Sequence, residues 1–290
     1  ILNESVASDF SLPINVKSET KAFSKVDIRS QTSEKVVNIG FKDGDYVNEG
    51  EVICKLDSGE RLANFKRAEI GFNSAKELSK KGLSSQSSLV SAETTFEQAR
   101  IALERTNIAA PFGGFVDNLA KEGQLLQNGQ ICASLVSLSP LKIVGNVSEL
   151  VVSKIKPGQP VKIKLISGEE FETAVTFVAS TADSQTRTFR VESELPNEQS
   201  SVKDGLTGEM TIFTDSQKAH FIPTSAFLLA DNGDVALATV LNSVIRIYTV
   251  QILIDTVAGA WVTGLPEEAN IVVAGQGFVK EGEEVKSVSR

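Results

Sequence analysis

One short pattern occurs twice in this chain, and the stretch between the copies has a different periodicity. The first copy runs from Val36 to Leu56 and the second from Phe115 to Leu135. At a constant offset of 79, Gly44 falls on Gly123, Gly50 on Gly129 and Leu56 on Leu135, with an acidic residue, Asp43 or Glu122, before the first glycine of each. Each copy reads as strand, turn, short strand, turn, strand, because glycine supplies the positive φ that tight turns need. Val37, Ile39 and Phe41 alternate, as do Val52, Cys54 and Leu56. Each copy therefore has one apolar face that it cannot bury alone. Two copies facing each other form a single β module.

Between the copies the apolar period lengthens. Phe65, Ala68, Phe72 and Ala75 are spaced 3, 4 and 3, and Leu89, Ala92, Phe96, Ala99 and Leu103 continue 3, 4, 3, 4. Two helices with matching seams are the expectation. Lys81-Gly82 ends the first with a glycine C-cap, and Ser84 to Ser88 offers N-caps for the second. So short a connection makes the helices antiparallel neighbours. Asn107 to Gly114, with Pro111 and two glycines, stops the helix and restarts a strand. Beyond Leu141 the pattern is all strand. The strongest hairpin signal there is Asp231-Asn232-Gly233-Asp234, between Ala226–Leu229 and Val235–Leu237.

Composition removes several functions. Lys plus Arg is 29 and Asp plus Glu is 37, a net charge of −8. That sign excludes nucleic acid as the main partner. With one His, one Met and two Cys, soft-metal and imidazole chemistry lacks ligands. No nucleophile elbow or phosphate loop occurs. No enzymatic activity, catalytic residue, cofactor or metal site is expected. Asp43-Gly44-Asp45 opens like a calcium loop, but Val47 takes the next ligand position, so it reads as a turn. Cys54 and Cys132 lie one place out of register in the repeat, so their side chains are expected on opposite strand faces, as buried free thiols.

A β module split by a helical hairpin and followed by β domains resembles the periplasmic adaptor subunits, or membrane fusion proteins, of Gram-negative tripartite efflux pumps of the resistance-nodulation-division (RND) type. The resemblance rests on ordered motifs: Leu56-Asp57 closing the first half, Ile108-Ala109-Ala110-Pro111-Phe112-Gly113-Gly114 reopening the module, then Thr186-Arg187-Thr188, Gly208-Glu209-Met210, Ile222-Pro223-Thr224-Ser225-Ala226, Gly264-Leu265, Gly275 and Gly282. It implies a mainly β, elongated multi-domain chain with an α-helical hairpin. Residues 25–57 and 107–140 would form a split lipoyl-like module, or barrel-sandwich hybrid, and 58–106 an antiparallel coiled-coil hairpin. Residues 13–24 and 141–220 would form a β-barrel, and 1–12 and 221–290 a membrane-proximal β domain.

The implied function is a link between an inner-membrane RND transporter and an outer-membrane channel, for efflux of drugs or other small solutes. The implied assembly is a ring of six chains, a trimer of dimers, in the periplasm and attached to the inner membrane. A lipid or N-terminal anchor upstream of residue 1 is left open, because the chain begins at Ile1 without methionine. Leu78, Leu83, Ser84 and Ser85 at the hairpin tip are the expected channel-docking residues, although Asn73 stands where the resemblance implies an arginine. Phe65, Phe72, Leu89, Phe96 and Leu103 are read as the structural seam, and Gly44, Gly50, Gly123 and Gly129 as the structural turns.

Glu34 occupies a position where such modules often carry glycine. Arg187 reads as a strand residue whose guanidinium ties backbone or a carboxylate in the barrel. His220 reads as a surface residue, with proton sensing at a domain junction as the alternative. An adaptor of an ATP-driven exporter is the second functional reading. A lipoyl or biotinyl carrier is the remote one, since no lysine stands on a tight turn between the halves and the only methionine is Met210.

Overall fold

The computed structural model describes residues 1–230 and 233–285. The chain divides into two compact units, one of residues 19–144 and 194–207, the other of 1–18, 145–193 and 208–290.

In the first unit the two copies exchange strands. Glu34–Ile39 of the first copy pairs with Leu125–Leu126 of the second, Glu34 opposite Leu126. Tyr46–Val47 of the first pairs with Gly114–Asp117, Tyr46 opposite Phe115. Gly114–Asp117 then pairs with Ile131–Ser148, Leu135 opposite Val116. Val52–Leu56 lies between Glu34–Ile39 and Asn107–Ala109. Val36, Val47, Ile53, Leu56, Val116, Leu126 and Leu135, drawn from both copies, share one core.

The turns repeat along with the strands. Gly44, Gly50, Gly123 and Gly129 all have φ between +83° and +91°, so a side chain at any of them would be strained. Each turn is closed from its own side chains at the same offset. The N–H of Lys42 donates to Asp45 Oδ2, and that of Lys121 to Gln124 Oε1. The N–H of Asn48 donates to Glu51 Oε2, and that of Gln127 to Gln130 Oε1.

Two sequence expectations fail here for one reason. A β-bulge between Val36 and Asn38 shifts the phase of the first strand, so Val36 is fully buried while Val37 is 47% exposed. A second irregularity, between Val52 and Cys54, leaves Val52 outside and turns Ile53 and Cys54 inward one after the other. A bulge adds one residue and re-aims the side chains beyond it. Opposite them, residues 132–135 are buried on both strand faces. Cys54 and Cys132 therefore meet in a disulfide, with Cα atoms 6.5 Å apart and no free thiol remaining. The expectation of free thiols on opposite faces is corrected.

Two helices interrupt the module: α1, Gly59–Lys80, and α2, Gln86–Glu104.

In the second unit the strands Thr188–Leu195, Glu170–Val178, Pro160–Leu165 and Thr207–Phe213 lie side by side in that order, followed by Pro13–Arg29 and Ile131–Ser148, which run through both units, and the first strand also pairs with the last. That closure makes a six-stranded barrel, which removes open strand edges. Its interior holds Val161, Ile163, Val175, Val191 and the only methionine, Met210. A bulge between Val175 and Phe177 leaves Phe177 exposed, against the simple alternation of the sequence.

The rest of this unit has two sheets. One contains Leu2–Val6, Glu268–Val272, Val235–Leu241, Phe227–Leu229 and Val244–Thr249, and the other Gln251–Thr256, Gly259–Thr263, Gln217–Ile222 and Ser8–Phe10. Phe227–Leu229 and Val235–Leu241 pair as an antiparallel hairpin. The first two residues of its expected turn, Asp231 and Asn232, lie outside the described residues.

Candidate functional site: the helical hairpin, its tip and its root

α1 ends in a left-handed glycine. Gly82 has φ +68°, its N–H donates to Ser79 O, and the N–H of Leu83 reaches back to Leu78 O. This crossed pair is a Schellman closure, whose outer positions, here Leu78 and Leu83, commonly carry a paired apolar contact. The two tip leucines thus have a local reason to exist. Local closure accounts poorly for their exposure, which is 45% for Leu78 and 72% for Leu83. Ser85 is the N-cap of α2, its Oγ accepting from the N–H of Ser88. Ser84 is half-buried, and Asn73 is exposed on α1 below the tip.

Along the shaft, Phe96 of α2 lies between Phe65 and Phe72 of α1, each ring centroid 5.4 Å away and the Phe72 ring nearly parallel. Leu89 and Leu103 are half-buried. Neither helix has a buried residue, because a seam between only two helices is covered on one side each. Arg100 pairs with Glu97 and Glu104 on successive turns of α2. The Glu97 hydrogen bond and then the Glu104 charge raise its already high pKa. On one flank Ala68, Gly71, Phe72, Ala92 and Ala99 line a groove of about 410 Å³.

At the root, the N–H of Leu56 donates to Thr106 O at 2.8 Å, so the two chain crossings stand side by side. Thr106 is buried, and its hydroxyl donates to Leu103 O. Asp57 Oδ1 accepts from the N–H of Gly59 at the start of α1. Arg61 directs Nε and Nη2 at Glu34 Oε1, at 3.3 and 3.2 Å, and Nη2 also donates to Thr32 Oγ1. The sequence offered no sign of this last cluster, since its members share no periodic pattern.

In the second unit, two sequence readings are overturned. Arg187 is not a strand residue: it precedes Thr188–Leu195 in a turn, with φ +54°, and its exposed side chain makes no hydrogen bond or ion pair among the described residues. The turn is organised instead by Asp183, which accepts from the N–H groups of Gln185 and Thr186 and from the Thr186 hydroxyl. The Thr186 N–H, then that of Gln185 and the Thr186 hydroxyl, hold the Asp183 carboxyl below the usual range. His220 is not on the surface: it is 2% exposed. Its Nε2–H donates to Pro266 O at 2.9 Å, which leaves Nδ1 to accept from the Ser5 hydroxyl at 2.9 Å.

Among the described residues, no group of three or more His, Cys, Asp or Glu is placed to hold a metal ion, and no helix is long and apolar enough to cross a membrane.

A barrel-sandwich module opened by a helical hairpin, together with a closed six-stranded barrel, defines the class of membrane fusion proteins. Residues 24–138 match the barrel-sandwich hybrid domain of RND membrane fusion proteins, and residues 143–216 match the CusB-like β-barrel domain. The chain belongs to the RND membrane fusion proteins. It is 24% identical to the multidrug resistance protein MexA of Pseudomonas aeruginosa, over 97% of this chain and 83% of that one. It is 23% identical to the multidrug export protein AcrE of Escherichia coli, over 96% and 86%. The crystal structure of MacA from Actinobacillus actinomycetemcomitans superposes with a TM-score of 0.66 at 17% identity, covering 94% of this chain and 99% of that one, and shares the fold.

Proposed function

We propose that this chain is a periplasmic adaptor that links an inner-membrane RND transporter to an outer-membrane channel for the export of drugs or other small solutes. The observation that carries the reading is the split module: residues of both copies share one core, and the helices that interrupt them end in exposed leucines. A linker needs a rigid arm with an apolar end and a body that stays folded when the arm is loaded. Multivalency then offsets the weakness of each small contact, which supports a closed ring of such chains, and the family resemblance supports six as its number. In this reading Leu78, Leu83, Ser84 and Ser85 meet the channel, and the β domains of the second unit hold the transporter at the inner membrane. The chain acts as a linker and performs no chemistry of its own.

In source cells lacking the chain, the wild-type protein is expected to restore efflux of a fluorescent dye, and Leu83→Asp to fail. Purified Leu83→Asp is expected to melt within a few degrees of wild type, since it loses only one outer position of a helix cap. Equal loss of efflux and of melting temperature would make the tip structural instead. Tagged full-length chain that brings down an ATPase subunit, in place of a proton-driven transporter, would favour the ATP-driven reading.

A further inference from the structure

The arm has no apolar core joining it to the module, because neither helix buries a single residue. Its direction must therefore be set by polar ties at the root, and those ties are unequal. Beside the end of α2 lies a cleft of about 390 Å³ lined by Ile28, Arg29, Ile101, Glu104 and Arg105, which leaves the arm room to tilt. On the α1 side a second cleft, of about 360 Å³, is spanned at its wall by Arg61, which grips Glu34 and Thr32 together. Thr32 is itself fixed. It is buried, its N–H donates to Ser30 Oγ, and its carbonyl accepts the Ser30 hydroxyl at 2.6 Å. Arg61 and Glu34 are only 28% and 30% exposed, so water screens this pair less than the other ion pairs along the helices.

We propose that Glu34 and Arg61, seated on Thr32, are positioning residues that fix the angle at which α1 leaves the module and so aim the tip. Their use in docking rests on the adaptor reading, whereas the latch itself belongs to the isolated chain. The lever is long. At 1.5 Å per residue α1 spans about 33 Å, so a swing of about 10° at the root moves the tip by about 6 Å. Apolar side chains touch only within about 4 Å, so such a swing is enough to break a leucine contact.

The test uses the full chain without any partner. Nitroxides are placed on Lys42→Cys in the module and Gln86→Cys at the tip, the native cysteines being paired already. Electron–electron double resonance then reads the width of the distance distribution. Glu34→Gln and Arg61→Met are each expected to widen it at least twofold with helix content unchanged, and the milder Arg61→Lys to widen it less. The exchange Glu34→Arg with Arg61→Glu is expected to narrow it again, which a general packing defect would not allow. Wild-type width in Glu34→Gln and Arg61→Lys, or an exchange no narrower than the single variants, overturns the proposal. Failure of the adaptor reading would appear in the efflux assay and leave these distances untouched.

Discussion

At the scale of single residues, the polar side chains do more than the sequence pattern assigns to them. Asp183 holds a whole turn through one oxygen, and a carboxyl held below its usual pKa stabilises the folded state only while ionised. Its contribution is fully present above the unfolded carboxyl value of about 3.9 and is lost as the pH falls through the lower, folded value. Protection of the Gln185 and Thr186 amides, read against their intrinsic exchange rates, is therefore expected to hold at about pH 4 and above and to be lost as the pH falls further through the lowered Asp183 value, whereas in Asp183→Ala these amides are unprotected throughout. Slow amides in Asp183→Ala would show that the turn does not depend on this carboxylate. The same turn holds Arg187 in the left-handed region, where a long side chain is uncommon, and presents it to solvent.

For the elements, the arm is the informative one. Its seam is half-covered, so removing a seam ring forfeits less than removal from a closed core, where Phe→Ala costs about 3–5 kcal/mol. Phe96→Ala touches both Phe65 and Phe72 and is expected to cost about 2 kcal/mol, read as an earlier loss of helical circular dichroism with the β signal intact. A simultaneous loss of both signals would mean that arm and module melt as one.

The glycine spacing and the 3–4 period were sufficient to place the turns and the two helices, because each is a local rule acting on neighbours in the chain. The bulges at Val36–Asn38 and Val52–Cys54 were hidden, since they arise from how one strand pairs with another. With them went the facing of Val37 and Cys54. Of the candidate site, the tip cap at Gly82 and the Ser85 N-cap were legible. Arg61, Glu34 and Thr32 were not, because a contact between residues 27 and 29 positions apart leaves no trace in periodicity.

Taken whole, the molecule has one covalent bond that spans the interruption. Cys54 and Cys132 are 78 residues apart, and the loop they close contains the entire arm. Loop closure of that length is worth about 4.5 kcal/mol in the chain-entropy account. Reduction, or Cys54→Ala, is expected to lower the urea midpoint accordingly, and an unchanged midpoint would show that the bond adds nothing to folding. Such bonds persist in oxidising compartments, which agrees with the periplasmic location proposed above. Leu56 and Thr106, hydrogen-bonded side by side at the root, carry a final consequence. The body holds the arm at two adjacent chain ends and at the Arg61 latch beside them, so beyond that root matched heptads could be added to both helices or deleted from them without disturbing a single strand. Reach is thereby an independently adjustable quantity, free to track the width of the gap to be crossed.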